Sequence, residues 1–353
     1  MNHVSASILS LTAEPALLVE KNRISYANPA ATELLGSECM DKFISEVFGA
    51  EFVGTQASSF IGDVPIKDRH YIVRVSKLDF GQIIFLSPSN TSPVYINDAF
   101  IFATRDALNN INMSIEAGRQ QAEALGTTSL PAVFQALTRS FYSLNRIISN
   151  ASIVKSIAEN SLIYELKQTN LSLYFGNIME TVCKLYPKNI FSLNLGENIC
   201  APVDTGIAST LLLNLVSNCL VHAEGCDKIS ISLSESSNMV SLSVSNNGKG
   251  IAPEDLNSVF DRYKHDFGAM QMAKGTGLGL TVARGAAELH SGTLLIESRP
   301  NFGTCVKVSF SKKDSGKVCV HAPKEDYEGQ MRHVLMNLAN CLPQECFTEK
   351  FND

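Results

Sequence analysis

The sequence predicts an α+β protein of several domains, and three observations carry that expectation. The chain has 353 residues, a length that divides naturally into two or three domains. Its apolar residues change period along the chain: short strand-like runs and a helix over 1–92, two long helical stretches over 93–164, then helices alternating with period-two strands over 165–312. Residues 313–353 are polar and then amphipathic around Met331, Val334, Leu335, Leu338 and Leu342, which predicts a short docking helix.

Composition excludes several classes of function. Hydrophobic residues make up 45% and charged residues 18%, as in ordinary globular proteins. A net charge of -6 gives no basic footprint for nucleic acid. No apolar run approaches the ~18 residues that cross a bilayer; Leu211–Val216 is too short, and Met1–Leu11 lacks a basic segment before an apolar core. A cytoplasmic protein without a membrane span is therefore expected. The nine cysteines include no C-x-x-C pair, so reduced, mostly buried thiols are expected rather than a zinc site or disulfide framework.

Within residues 1–92, Ala16–Val19 and Ile24–Tyr26 flank a polar turn at Lys21-Asn22-Arg23 and read as a hairpin. Asn28-Pro29 starts a helix that Gly36 stops. Tyr71–Val75 and Gln82–Leu86 read as paired strands around Asp79-Phe80-Gly81. The string from Pro15 to Gly36 resembles the opening of a PAS sensor domain. That resemblance implies ligand sensing or dimerisation.

The helical stretch over 93–164 places Ile101, Leu108, Ile111, Ile115, Ala122 and Leu125 on one seam, and Phe134, Leu137, Phe141, Leu144, Ile148 and Ala151 on a second. Gly126–Pro131 breaks it into an antiparallel helical hairpin. One hairpin buries a single stripe, so two copies are expected to form a dimeric four-helix bundle. The alternative is a hairpin that packs on its own flanking domains.

Three motifs occupy residues 165–312. In Leu211–His222, Asn214, Asn218 and His222 stand four apart and share one helix face, while Leu212, Leu215 and Cys219 share another. In Val244–Ile251 a strand ends at Asn246-Asn247-Gly248-Lys249-Gly250, where glycines permit close approach to a ligand. In Lys274–Ala283 a glycine-rich loop opens into an apolar helix, a natural anion site. Each has a bland reading alone: a solvated amide face, an ordinary turn, a loop.

In order, the three resemble the N, G1 and G2 boxes of the GHKL ATPases, specifically of sensor histidine kinases. Val259–Tyr263 resembles the F box, and Glu288–Gly292, Ile296–Ser298 and Gly303-Thr304 resemble the closing segments. The resemblance implies an α/β sandwich of the Bergerat type that binds ATP and Mg²⁺. Residue by residue it implies that Asn218 ligates Mg²⁺ and that Asn214 and His222 line the phosphate side. Asn246 would face the adenine amino group, and Gly248 and Gly250 would turn beneath the base. Gly275, Gly277, Leu278 and Gly279 would form the hinge of a lid drawn from residues between Tyr263 and Lys274, and Thr304 would lie near adenine.

The chain departs from the family pattern at three places. Asn246 stands where Asp is usual, so its hydrogen bond to adenine lacks charge assistance. Val221 stands where many relatives carry a basic residue near phosphate. In the hairpin, Arg105-Asp106 occupies the place of the phosphoacceptor histidine and its acidic neighbour, and no histidine lies between residues 71 and 221. Arginine stays protonated and is no nucleophile; Asp106 keeps the acidic position, and Asn214 is the other residue that the resemblance assigns to catalysis.

The expected function is a sensor histidine kinase-like protein that binds Mg-ATP and passes phosphate to a response regulator or other protein acceptor. A silent pseudokinase, gated by ATP and acting by docking, is the alternative. An anti-sigma-type serine kinase is the third possibility.

Overall fold

The computed structural model describes residues 9–10, 12–49, 59–67, 69–78, 81–88, 98–124, 131–222, 225–256, 278–313 and 327–347. The chain begins with β1 (Ala16–Glu20) and β2 (Arg23–Ala27), then α1 (Pro29–Leu35) and α2 (Ile44–Phe48). Strands β3 (Ser59–Ile66), β4 (Arg69–Leu78) and β5 (Gly81–Pro88) follow. The polar turn between β1 and β2 has Lys21 and Asn22 at φ 52 and 63. The Asn28 side chain accepts from Ala31 N and Ala16 N, so one amide caps α1 and ties it to the first strand.

Two long helices come next, α3 (Asp98–Ala124) and α4 (Pro131–Ala158). Proline opens the second, where its missing N–H costs nothing. Beyond them the chain folds as β6 (Lys167–Asn170), α5 (Leu171–Leu185), β7 (Phe191–Asn194), β8 (Cys200–Val203), α6 (Thr205–His222), β9 (Ile229–Glu235) and β10 (Met239–Asn246). It continues through α7 (Pro253–Leu256), α8 (Leu278–Leu289), β11 (Leu294–Arg299), β12 (Gly303–Ser311) and α9 (Tyr327–Asn337).

Ten strands form one continuous sheet in the order β2-β1-β5-β4-β3-β11-β12-β10-β9-β7, with β6 and β8 paired separately. The join is β3 against β11, antiparallel, with Leu294 opposite Asp63 and Ile296 opposite Ile61. An edge strand left open is an association hazard; here each half of the sheet covers the other's edge. The two faces exchange core residues across the join. Ile61 packs into the C-terminal core and Leu295 into the N-terminal core.

The hairpin packs on its flanking elements within the chain. Ala151 and Val154 of α4 bury against Leu278 and Val282 of α8. Ile157 seats over Gly285, where an added β-carbon would lie 2.5 Å from Ile157 Cδ1. Of the expected seams, Leu108, Ile115, Ala122, Phe141, Ile148 and Ala151 are buried, but Ile111, Leu137 and Leu144 are exposed. The side chains of Ile101, Arg105 and Asp106 and the whole of Leu125 lie outside the described residues.

In the amphipathic C-terminal segment, Met331, Val334 and Leu335 of α9 and Leu338 and Leu342 just beyond it are all buried in the C-terminal core. Helix α6 corrects one expectation. By length and composition Thr205–His222 is apolar enough to cross a bilayer, and 67% of it is buried within the fold. It is the central helix of the C-terminal half, buried on the faces that carry Leu212, Asn214 and Leu215 alike.

Candidate functional site

Asp204 starts α6 by accepting from Ile207 N at 3.0 Å, a cap that orients the helix. Its own N–H donates to His290 Nε2 at 3.0 Å, while His290 Nδ1 donates to Ala286 O at 2.6 Å. His290 therefore clamps the start of α6 to the end of α8. Burial pushes its pKa below the ordinary value, against the backbone bond to Ala286 and the charge of Asp204.

The polar residues of α6 meet different fates. Asn214 is fully buried. Its Oδ1 accepts from Arg146 Nη2 at 3.0 Å and Asn150 Nδ2 at 3.2 Å, and its Nδ2 donates to Asn150 Oδ1 at 3.3 Å. Asn214 thus faces α4 and does not line the cavity, contrary to the expectation that it borders phosphate. The cause is the hairpin, whose polar residues satisfy an amide that water does not reach. One turn on, Asn218 lines an open cavity, with His222 exposed at its rim.

The end of β10 forms the opposite wall. Asn246 pairs across the sheet with Thr304, and both line the cavity. Asn246 Oδ1 accepts from Gly248 N at 3.1 Å, and its Nδ2 points to Cys219 Sγ at 3.6 Å. Burial pushes the Cys219 thiol up to about 12 against that hydrogen bond, so it stays neutral. Gly250 takes φ 72, and a β-carbon there would meet Arg299 O at 2.0 Å. This glycine is required by contact with β11. Ser298 secures the loop: its hydroxyl accepts from Ile251 N at 2.8 Å and donates to Gly303 O at 3.0 Å.

At the start of α8, Gly279 lies against the amides of α6. A β-carbon on it would stand 3.4 Å from both Asn214 Oδ1 and Asn218 Oδ1. Leu278 turns instead into the cluster with Ala151, Val154 and Val282, so its side chain packs on the hairpin rather than bordering the cavity. Gly275, Gly277, the F-box segment Val259–Tyr263 and the lid lie outside the described residues.

The cavity has a volume of ≈ 1410 Å³, ample for a nucleotide. Its outer wall is one that the motif order alone does not reveal. Arg139, Ser143 and Arg146 of α4 face it, together with Asn340 and Gln344 beyond α9. Arg139 Nε donates to Ala339 O at 2.8 Å and Ser143 Oγ to Asn340 Oδ1 at 2.6 Å, so hairpin and tail form one wall. Arg146 and Asn150 stand four apart on α4, and that polar pair was the available signal. Among the described residues no cluster of three or more His, Cys, Asp or Glu could hold a metal.

Residues 204–314 match the protein family described as histidine kinase-, DNA gyrase B- and HSP90-like ATPase. The chain is similar to the sensor histidine kinase YvrG of Bacillus subtilis, 30% identical over 177 residues that cover 48% of this chain and 30% of YvrG. It is 40% identical over 98 residues to the histidine protein kinase DivJ of Caulobacter vibrioides, covering 28% of this chain and 16% of DivJ. The chain thus spans less than a third of either relative. Among solved structures, histidine kinase ThkA in complex with the response regulator protein TrrA aligns with a TM-score of 0.38 and 20% identity, over 87% of this chain and 98% of that one. Acinetobacter baumannii histidine kinase AdeS aligns with a TM-score of 0.41 and 17% identity, over 59% and 98%.

Proposed function

We propose that this chain binds Mg-ATP and transfers phosphate to a protein acceptor in two-component signalling, a reading supported by the match of residues 204–314 to the histidine kinase-, DNA gyrase B- and HSP90-like ATPase family. The observation that carries the reading is the convergence of Asn218, Asn246, Gly279 and Thr304, distant in sequence, on one large cavity. The donor chemistry fits. Magnesium prefers hard oxygen donors and keeps waters and phosphate oxygens, and Asn218 presents an amide oxygen beside the start of α8. Bound Mg-ATP supplies the phosphoryl group. Asn218 holds the metal, His222 borders the phosphates, and Asn246 and Thr304 face the base. The helix N-terminus at Leu278-Gly279 offers backbone N–H groups to an anion.

The acceptor is a separate protein such as a response regulator, since Arg105 stands where a histidine would accept phosphate. Asp106 keeps its acidic place beside it. The N-terminal sheet acts as a PAS-like sensor, the hairpin as the dimerisation element, and the protein works in the cytoplasm. One observation favours the pseudokinase alternative, the absence of histidine between residues 71 and 221.

The test is incubation with γ-labelled ATP, with and without candidate response regulators. Acid-labile label on a protein supports transfer. Nucleotide binding with no label on any protein supports the pseudokinase. Asn218→Ala should abolish magnesium-dependent nucleotide binding, and unchanged affinity in that variant overturns the site.

A further inference from the structure

We propose that Arg146, delivered by helix α4 from outside the ATPase domain, binds the nucleotide's phosphates and is held in position by Asn214. The inference rests on the proposed nucleotide site and adds to it an arginine from outside the glycine and asparagine motifs.

Arg146 lines the same cavity as Asn218, His222 and Gly279. Its Nη2 donates to Asn214 Oδ1 at 3.0 Å. A guanidinium carries five donors, and this is the one hydrogen bond it makes among the described residues. No carboxylate among them lies within ion-pair distance. Burial pulls its pKa down, with the Cys341 thiol opposing, yet an arginine in a protein stays charged. A desolvated cation without a counter-charge is costly. An anion in the cavity offsets that cost, and a polyphosphate matches the planar fork of donors.

Other cations at the cavity do not serve as well. Arg139 is committed to the carbonyls of Ala339 and Asn340. Lys249 is exposed on the G1 loop. Val221, where the family resemblance leads one to expect a basic residue, is apolar and exposed. Arg146 supplies from the hairpin the charge that α6 lacks. Asn214, buried and bonded to both Arg146 and Asn150, is then a positioning residue. Nucleotide affinity becomes coupled to the seat of the hairpin on the ATPase domain, because the arginine leaves when α4 moves.

The experiment is calorimetry on the full chain with Mg-ATP and with adenosine, comparing the unaltered protein with Arg146→Gln and Arg146→Lys. Glutamine can still donate to Asn214 but carries no charge. A charged hydrogen bond to phosphate corresponds to a loss of about tenfold or more in ATP affinity. Adenosine affinity should be unchanged, and lysine should restore part of the loss. The ratio of ATP to adenosine affinity within one protein separates this from partial unfolding. An unchanged ratio in Arg146→Gln overturns the inference, as does tighter ATP binding, which would make Arg146 a plug over the site. Failure of the unaltered protein to bind ATP overturns the proposed function as well.

Discussion

Arg284 Nε of α8 lies 3.3 Å from Asp63 Oδ2 of β3, and the Asp63 side chain is 1% exposed. The pair crosses the join between the two halves of the ten-stranded sheet. It links the N-terminal sheet to the helix whose first turn borders the nucleotide cavity. Around it stand His70, whose Nδ1 is 2.7 Å from Asp63 Oδ1, and Glu288, 3.4 Å from His70 Nε2.

Removing one partner of a buried pair leaves the other uncompensated. Arg284→Met keeps the apolar stem and removes the charge, so a loss of about 3 kcal/mol of stability is expected. Urea denaturation followed by circular dichroism measures it. A loss within the range of exposed pairs, below about 1 kcal/mol, would show that Asp63 is adequately served without Arg284.

His70 gives the join a pH dependence. Burial pushes its pKa down, and Arg284 opposes the proton too. The hydrogen bond to Asp63 and the charges of Asp63 and Glu288 outweigh both, so the pKa ends above the ordinary 6.5. The unfolded state then releases its proton first as pH rises. The stabilisation is complete below pH 6.5 and is lost as pH rises through the raised folded value. The gap in Tm between the unaltered protein and His70→Gln should narrow over that window. A constant gap would remove the imidazolium from the account.

His290 carries the opposite sign. Its folded pKa is depressed, chiefly by burial, so the unfolded chain takes up a proton at pH 6.5 while the folded chain does not. Its contribution to stability falls as pH drops through 6.5 and levels off below the folded value. Proton NMR of its imidazole should show a midpoint below 6.5. A midpoint at or above 6.5 would contradict the clamp between Asp204 and Ala286.

How much of this was legible in the sequence follows from the range of each signal. The hairpin at Lys21-Asn22, the cap at Asn28 and the pairing of β4 with β5 are local, and turn residues with alternation disclose them. The join was not legible. Ser59–Ile66 contains Gly62, Asp63 and Pro65, which break strand alternation. Only its two neighbours, β4 and β11, make it a strand. The site divides in the same way. Asn218, Asn246 and Thr304 were marked by ordered motifs, and the fold brings them to one cavity. Arg146 escaped notice because its place on the cavity wall depends on a helix packing across it, and Asn214, marked by the same motif as Asn218, turns to that helix rather than to the cavity.

The glycine at 303 tests whether the wall beneath Thr304 is rigid. It has φ 102, and a β-carbon would lie 1.9 Å from Asn246 O. The atoms it would meet are backbone atoms of Asn246 and Asn247, which cannot rotate away as a side chain can. Gly303→Ala should displace the ends of β10 and β12 and weaken both stability and nucleotide binding. Ser298→Ala removes three hydrogen bonds at the same corner, to Ile251 N, Gly303 O and Thr304 Oγ1, and a loss of about 2 kcal/mol or more is expected. Thermal unfolding and nucleotide titration of each variant check this, and a wild-type profile for Gly303→Ala would show that the strands separate freely.

The hairpin carries exposed apolar side chains on which self-association is predicted. Ile111 and Met113 of α3 and Val133, Leu137 and Leu144 of α4 are 46%, 69%, 50%, 44% and 48% exposed. Leu137 and Leu144 are seven residues apart, one heptad, so they stand on one line along α4. Phe134, Leu137, Ile111 and Ile115 border an apolar groove between the two helices. A second copy of the hairpin would bury that face. Light scattering after size exclusion should give a dimer for the unaltered chain and a monomer for the double variant Ile111→Glu, Leu137→Glu. The variant should keep its nucleotide affinity, because Ile111 and Leu137 border the groove between the helices and not the cavity that holds Arg146 and Asn150. A monomeric unaltered chain would assign the hairpin to the intramolecular packing on α8 and α9 alone.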